Sequence, residues 1–242
     1  SELGIYQYVF LSATILCVLV STIWFIMFPT IKNRDNPIEI GEVENEIINK
    51  ETSKKSRSYF VIVIIFLGIL AAVCNLLKDG LNTWVPKILK DSFDLTDSFS
   101  TLLTIVLPFF GIFSSILALL VNSKIKNYFT STALYFGVSS VATGLILLSL
   151  NKNILALSLV MFGIVVLLMH TINSLITSVA PMEFRGKYST GLISGVLNGC
   201  SYLGSTFSAY GLGLIADKAG WNGAIVTLLS CAVAATLIAL SF

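Results

Sequence analysis

The chain alternates long apolar runs with polar connections. Seven runs contain no Asp, Glu, Lys or Arg, and each approaches or exceeds the about 20 residues that an α-helix needs to cross a bilayer. Because their hydrophobicity is continuous and does not alternate, the pattern predicts helices and argues against a transmembrane β-barrel. The predicted fold class is an all-α integral membrane protein with seven transmembrane helices. The runs are residues 9–29, 59–77, 102–121, 128–150, 154–180, 188–216 and 221–242.

Composition supports the same class. Of the 242 residues, 55% are hydrophobic and 12% are charged, and the mean hydropathy is +0.89, which is far from the composition of a soluble domain. The net charge of +2 is too small to indicate nucleic-acid binding. The four cysteines lie inside apolar runs without CxxC spacing, so we predict no disulfide framework, no metal site and no cofactor. These cysteines are Cys17, Cys74, Cys200 and Cys231.

Loop charges predict the orientation. One set of alternate loops carries ten Lys and Arg residues and the other carries four, with Lys78 counted in neither set. By the positive-inside rule, the richer set is cytoplasmic, so residue 1 is expected outside and the C-terminus in the cytoplasm. The rich set includes one long polar segment, residues 30–57, which separates a single run within residues 1–29 from six runs within residues 58–242. This odd arrangement and the initial Ser predict a piece of a larger protein, with the missing part before Ser1.

Lys78 stands at the end of the second apolar run. A Lys near the centre of a bilayer costs roughly 2.5–3.5 kcal/mol on insertion scales, so it is expected to face a partner, a cavity or a ligand there. Asn75, Lys78, Asp79 and Asn82 follow helical spacing and share one side if the helix continues past Gly80. In the alternative, the membrane ends before Lys78 and the side chain reaches the interface.

The fifth run repeats the same spacing with His170, Asn173, Ser174 and Thr177. Apolar residues occupy the rest of this helix, so the pattern predicts one polar face. A His in such a position either carries a proton or donates to a ligand, because imidazole changes charge near neutral pH. It is also consistent with a neutral His bonded to a neighbouring helix.

The sixth run contains Gly191, Gly195 and Gly199, spaced four residues apart. Such a stripe of small residues predicts close packing between two helix backbones. Asn198 and Tyr202 lie on an adjacent face, where they could hydrogen-bond a ligand or another helix.

Two segments carry a family resemblance. The sequence NLLKDGLNTWVPKIL at 75–89, together with HTINSLITSVAPMEFRGKYSTGLISGVLNGCSYLGS at 170–205 and YGLGLIADKAGWNGA at 210–224, resembles the major facilitator superfamily. Within it, the chain is similar to the organophosphate:phosphate antiporters, typified by glycerol-3-phosphate and hexose-phosphate transporters. The resemblance implies that residues 58–242 are the C-terminal six-helix bundle of a 12-helix transporter. Residues 1–29 are then the last helix of the N-terminal bundle, and residues 30–57 are the central cytoplasmic loop.

The resemblance also implies a binding site. In that family a basic residue in an LLR-x-G-x-x-x-W-x-P pattern faces the central cavity and binds substrate phosphate, and Lys78 occupies its position. Lys is a point charge without the planar fork of Arg, so a carboxylate or sulfonate substrate stays open. The complete set of predicted substrate-binding residues is Lys78, Asn75, Asn82, Trp84, His170, Asn173, Asn198 and Tyr202.

The expected function is secondary active transport by alternating access. The expected location is the plasma membrane, of the bacterial inner-membrane type. The expected substrate is an organophosphate, such as glycerol-3-phosphate or a sugar phosphate, taken up in exchange for phosphate. Exchange is favoured because an unneutralised Lys78 would hinder the return of an empty carrier. The expected partners are this small anion, the lipid bilayer and the missing N-terminal half.

Other functions remain open. They are a proton-coupled symporter of organic anions, with His170 as the coupling residue, and a transporter-like sensor of sugar phosphates. An enzyme is not expected, because the apolar runs contain no HExxH, no GxSxG and no paired carboxylates. A retinal-binding protein would need a Lys in the last run, which has none.

Overall fold

The computed structural model describes residues 2–32, 54–122, 125, 127–185 and 188–241. These residues form helices and short connections, with no strand among them, and the all-α membrane class is confirmed. The chain divides into two compact units, Ser1–Asn49 and Lys50–Phe242. Most of the predicted cytoplasmic loop, residues 30–57, lies outside the described residues, and its boundaries stay a prediction.

Helix α1 (Glu2–Lys32) is the described part of the first unit. Its 31 residues correspond to about 46 Å of helix, more than a bilayer core requires. Large apolar side chains between Leu11 and Met27 are exposed within this unit, among them Phe25 at 80%. A helix with apolar side chains exposed along its length is suited to contact with lipid or with other helices.

The second unit contains helices that are long and apolar enough to cross a membrane. Five described segments meet that criterion. The helices are α2 (Lys54–Phe93), α3 (Asp97–Thr104), α4 (Val106–Asn122), α5 (Tyr128–Asn151), α6 (Leu155–Ser174), α7 (Ala180–Glu183) and α8 (Thr190–Leu240). A π-helical turn, Leu175–Val179, joins α6 to α7.

Helix α8 contains two membrane spans. Its 51 residues would extend about 76 Å if straight, which is more than twice a bilayer core. Gly220 interrupts it with φ 67° and ψ 177°, in the positive-φ range that favours glycine. The predicted runs 188–216 and 221–242 therefore lie on opposite sides of this break as separate spans, over the described helix Thr190–Leu240, and the described part of the second unit has six spans.

Prolines and polar caps set other helix ends. Pro108 has no N–H and its ring conflicts with the carbonyl of Thr104, so the third span breaks at Ile105 into α3 and α4. At the start of α5, the side chain of Asn127 accepts a hydrogen bond from the backbone N–H of Phe129, at 2.9 Å. Ser189 caps α8 in the same manner.

Helix α2 is continuous through Gly80 and Pro86 to Phe93. Lys78 therefore lies inside a helix and does not mark its end. The first half of α8 runs parallel to α2, since a Cβ placed on Gly80 would lie 2.6 Å from the Leu212 side chain and one placed on Gly213 would lie 2.9 Å from Trp84. Gly80 and Gly213 thus allow the two helices to approach closely.

The predicted glycine stripe is not part of this contact. Gly191, Gly195 and Gly199 are exposed, and a Cβ at each would meet no described atom within 4 Å. They make no close contact within the described unit, and their role in helix packing stays a prediction. The closest approach is made by Gly204, where a Cβ would overlap the carbonyl oxygen of Ala72.

Candidate functional site

The depth of Lys78 follows from its neighbours on α8. The first half of α8 is apolar from Thr190 to Ala216, so its centre is residue 203. Ser205, which lies about 3 Å along the axis from that centre, donates a hydrogen bond to Oδ2 of Asp79. Asp79 and the adjacent Lys78 are therefore level with the centre of this uncharged segment, which favours a Lys78 within the membrane over an interfacial one.

Lys78 is held by a chain of amides between α2 and α6. Its Nζ donates to Oδ1 of Asn75 at 2.6 Å, and Nδ2 of Asn75 donates to Oδ1 of Asn173 at 2.9 Å. Asn75 also donates to the carbonyl of Ala71, at 3.1 Å. The Lys78 side chain is 14% exposed. Three of the predicted site residues thus form one connected group, which orients the ammonium in a mostly buried position.

Irregular backbone follows Asn173 directly. The π-helical turn Leu175–Val179 begins two residues later, and such turns are frequent at functional sites. Pro181 has no N–H for the carbonyl of Thr177, and Oγ of Ser194 donates to that carbonyl instead, at 2.8 Å. The turn is therefore tied to α8 close to the end of the amide chain.

Asp79 is a site residue that the sequence analysis left out of its binding set. Its Oδ1 lies 3.6 Å from Nζ of Lys78, and its side chain is 35% exposed. A carboxylate therefore lies beside Lys78, which the expectation of an unneutralised Lys78 did not include. The signal was present in the sequence, because Asp79 follows Lys78 directly and lies one turn after Asn75.

Asn82 and His170 line one cavity of about 560 Å³. Pro86 cannot donate to the carbonyl of Asn82, and Pro108 cannot donate to that of Thr104, so the two prolines leave polar backbone beside this cavity. Thr101 and Thr104 were not among the predicted site residues, although their hydroxyls are the main polar groups that α3 contributes to this cavity. The lining residues are Asn82, Thr101, Thr104, Ile105, Leu107, Pro108, Gly111, Ile112 and His170.

His170 is half-buried and packs its ring near Gly111, where a Cβ would lie 3.5 Å from Nε2. No side chain of the described residues hydrogen-bonds the imidazole, so the predicted alternative of a His bonded to a neighbouring helix has no partner there. The same described residues contain no group of three His, Cys, Asp or Glu that could hold a metal ion.

Three predicted site residues lie away from the amide chain and the cavity. The indole N–H of Trp84 donates to the carbonyl of Ser208 at 3.3 Å, and its ring lies 5.7 Å from that of Trp221. Trp84 therefore packs α2 against both halves of α8. Asn198 and Tyr202 lie on the exposed side of α8, with Tyr202 72% exposed, and the only described side chain that hydrogen-bonds Tyr202 is that of Thr206, which donates to its backbone carbonyl at 2.9 Å.

Comparison with known proteins agrees with this architecture. The family model described as "Major Facilitator Superfamily" matches residues 1–209. The "Probable hexose phosphate transport protein" of Chlamydia pneumoniae is 39% identical over 59 residues, which are 24% of this chain and 13% of the relative. The protein of the same name from Chlamydia muridarum is 40% identical over 58 residues, again 24% of this chain and 13% of the relative. The matches thus span about an eighth of the length of these relatives.

Proposed function

The chain belongs to the major facilitator superfamily, and from that premise we propose that it is part of a secondary transporter that moves a small organic anion by alternating access. Members of this family are transporters and not enzymes. The chain is a multi-pass membrane protein. Its loop charges favour an inner-membrane orientation with the C-terminus in the cytoplasm.

The position of Lys78 is the observation that carries the proposal. A cation near the middle of an apolar layer is costly unless it has a function or a partner. Asn75 accepts one of the three hydrogen bonds that the ammonium can donate. The remaining donors are available to a negatively charged ligand, which supports an anion as the substrate.

An organophosphate is the substrate class that we favour. The named relatives are hexose phosphate transport proteins, although they match only a short segment. The cavity lined by Asn82, which follows Lys78 by one turn of α2, supports the same class, because Asn82, Thr101 and Thr104 offer hydrogen bonds suited to the hydroxyls of a sugar or glycerol. Exchange with inorganic phosphate is one expected mode of transport.

A second helical bundle is expected to complete the site. Tyr202, Phe207 and Tyr210 on α8 are each more than 70% exposed, and the open glycine stripe continues the same helix. Such a face is suited to the N-terminal half of a transporter, whose movement against it would alternate access. Asn198 and Tyr202 would then act at the boundary between the halves.

Uptake by the full-length transporter in liposomes tests the function. The liposomes are loaded with phosphate, and uptake is compared for labelled hexose phosphate, glycerol-3-phosphate, a carboxylate and a sulfonate. We expect the two organophosphates to be taken up fastest. Faster uptake of the carboxylate or sulfonate would overturn the substrate class, and binding of hexose phosphate without any uptake would indicate a sensor.

Replacing Asn173 by Ala is expected to weaken anion binding about 3- to 10-fold, the equivalent of one lost hydrogen bond. The substitution removes the acceptor that orients Asn75 beneath Lys78. Titration of the full-length protein with hexose phosphate measures the effect.

Thr177→Val is the matched control one turn away, since the Thr177 hydroxyl donates only to the carbonyl of Asn173, at 2.7 Å. Its affinity for hexose phosphate is expected to be unchanged. Equal losses in the two variants would contradict a specific role for the amide chain.

A further inference from the structure

The charges of α2 within the apolar layer are a pair of opposite sign. Between Tyr59 and Pro86, Lys78 and Asp79 are the charged residues of α2. Their side chains are 14% and 35% exposed, whereas the second described ion pair, Lys90 with Asp97, is 41% and 82% exposed. Exposed pairs such as Lys90 with Asp97 contribute little to stability, whereas the partly buried Lys78–Asp79 pair determines the net charge of the site around it.

Different helices hold the two members of this pair. Asn75 and Asn173 hold the ammonium from the side of α6, and Ser205 on α8 holds the carboxylate. The 3.6 Å separation between Nζ of Lys78 and Oδ1 of Asp79 is longer than a hydrogen bond between charged groups. Asp79 therefore neutralises Lys78 electrostatically and leaves the ammonium free to donate to another anion.

We infer that Asp79 is an internal counterion that allows the transporter to return without a bound anion. When the site is empty, the Lys78–Asp79 pair has no net charge, so reorientation carries no uncompensated cation through the apolar layer. This inference rests on the proposed anion transport and deepens it. Exchange with phosphate is one mode of the transporter, and net uptake, in which the empty carrier returns, is a second.

Asp79→Asn separates the two modes of transport. Asn keeps a side-chain oxygen for the hydroxyl of Ser205 but removes the negative charge. The empty site then holds an uncompensated cation, and an anion restores neutrality when it binds. Net uptake of labelled hexose phosphate is expected to fall at least about 10-fold, whereas exchange is expected to stay within about 3-fold of wild type.

The measurement compares two batches of liposomes that contain the full-length transporter. One batch is loaded with phosphate and reports exchange. The other contains no transportable anion and, with an inside-positive potential set by a potassium gradient and valinomycin, reports net uptake. Ser230→Ala is the matched control on the same helix, because the hydroxyl of Ser230 donates within α8, to the carbonyl of Val226 at 2.8 Å. It is expected to retain both modes.

Each outcome decides between the proposals. Net uptake by wild type that is lost in Asp79→Asn while exchange persists supports the counterion role. Wild type that only exchanges overturns that role and leaves anion transport intact. A folded Asp79→Asn protein inactive in both modes overturns it as well, because Asp79 would then be required for translocation itself. If wild type is inactive in both modes, the proposed function fails and the counterion role fails with it.

Discussion

Lys78→Ala is expected to weaken the binding of hexose phosphate by at least about 30-fold, because truncating a charged group that hydrogen-bonds an oppositely charged partner, here the bound anion, commonly costs about 2–5 kcal/mol. The substitution removes the cation, leaves Asp79 as an uncompensated carboxylate and deprives Asn75 of its donor. An anion would then meet negative charge where it now meets a neutral pair. Equilibrium binding of labelled hexose phosphate to the purified full-length protein measures the loss.

Lys78→Arg is the matched control for charge. Arg keeps the cation and adds a planar pair of donors suited to phosphate, so we expect it to retain binding within about 10-fold of wild type. If Lys78→Ala binds hexose phosphate as tightly as wild type, Lys78 is not the anion-binding residue. In that case the Asn75–Asn173 contact has only a structural role.

Gly204→Val is expected to destabilise the fold by about 3 kcal/mol, at the upper end of the usual cost of overpacking. A Cβ at Gly204 would overlap the carbonyl oxygen of Ala72, and a backbone atom cannot move aside as a side chain does. Helices α2 and α8 would have to separate, which also moves Ser205 away from Asp79. The melting temperature of the protein in detergent is expected to fall by roughly 5–10 °C.

Gly144→Val on α5 is the comparison, since a Cβ there would meet no described atom within 4 Å. Its melting temperature is expected to stay within about 2 °C of wild type, as for substitutions in open positions. A fall of equal size in the two variants would mean that valine itself weakens these helices. The close contact between Gly204 and Ala72 would then not be the cause.

Helix positions were predictable because a bilayer leaves the backbone few alternatives. Each apolar run of the second unit lies in helical structure, although Ile105 interrupts the third run and a π-helical turn the fifth, and the polar step at Gly220 between residues 216 and 221 is the break in α8. The extension of α2 past Gly80 was not decided by the sequence. It depends on α8, whose Leu212 and Ser208 pack against Gly80, and such contacts between distant segments leave no local pattern.

The candidate site was only partly predictable for a related reason. Helical spacing placed Asn75, Lys78 and Asp79 on one side of α2, but Lys78 and Asp79 are successive residues and point about 100° apart. Lys78 is linked through Asn75 to α6, while Asp79 reaches α8. Spacing identifies which residues share a helix face, but the neighbouring helix that each one meets depends on the tertiary packing.

Residue type and spacing did not predict which glycines, or what role of Trp84, would appear in the helix contacts. The regular stripe of Gly191, Gly195 and Gly199 faces open space within the described unit, whereas Gly204, which is outside the stripe, makes the close contact. Trp84 belongs to the pattern that resembles the family, yet its indole is used in packing α2 against α8. Sequence periodicity predicts that small or aromatic residues form contacts but not which of them do.

Counterflow tests the central claim most directly. Full-length transporter, as wild type and as Lys78→Ala, is reconstituted into liposomes loaded with phosphate, and the uptake of labelled hexose phosphate is followed. The account predicts uptake by wild type that Lys78→Ala abolishes, while both proteins insert into the liposomes equally. Uptake by Lys78→Ala at the wild-type rate, or no uptake by wild type, would contradict it.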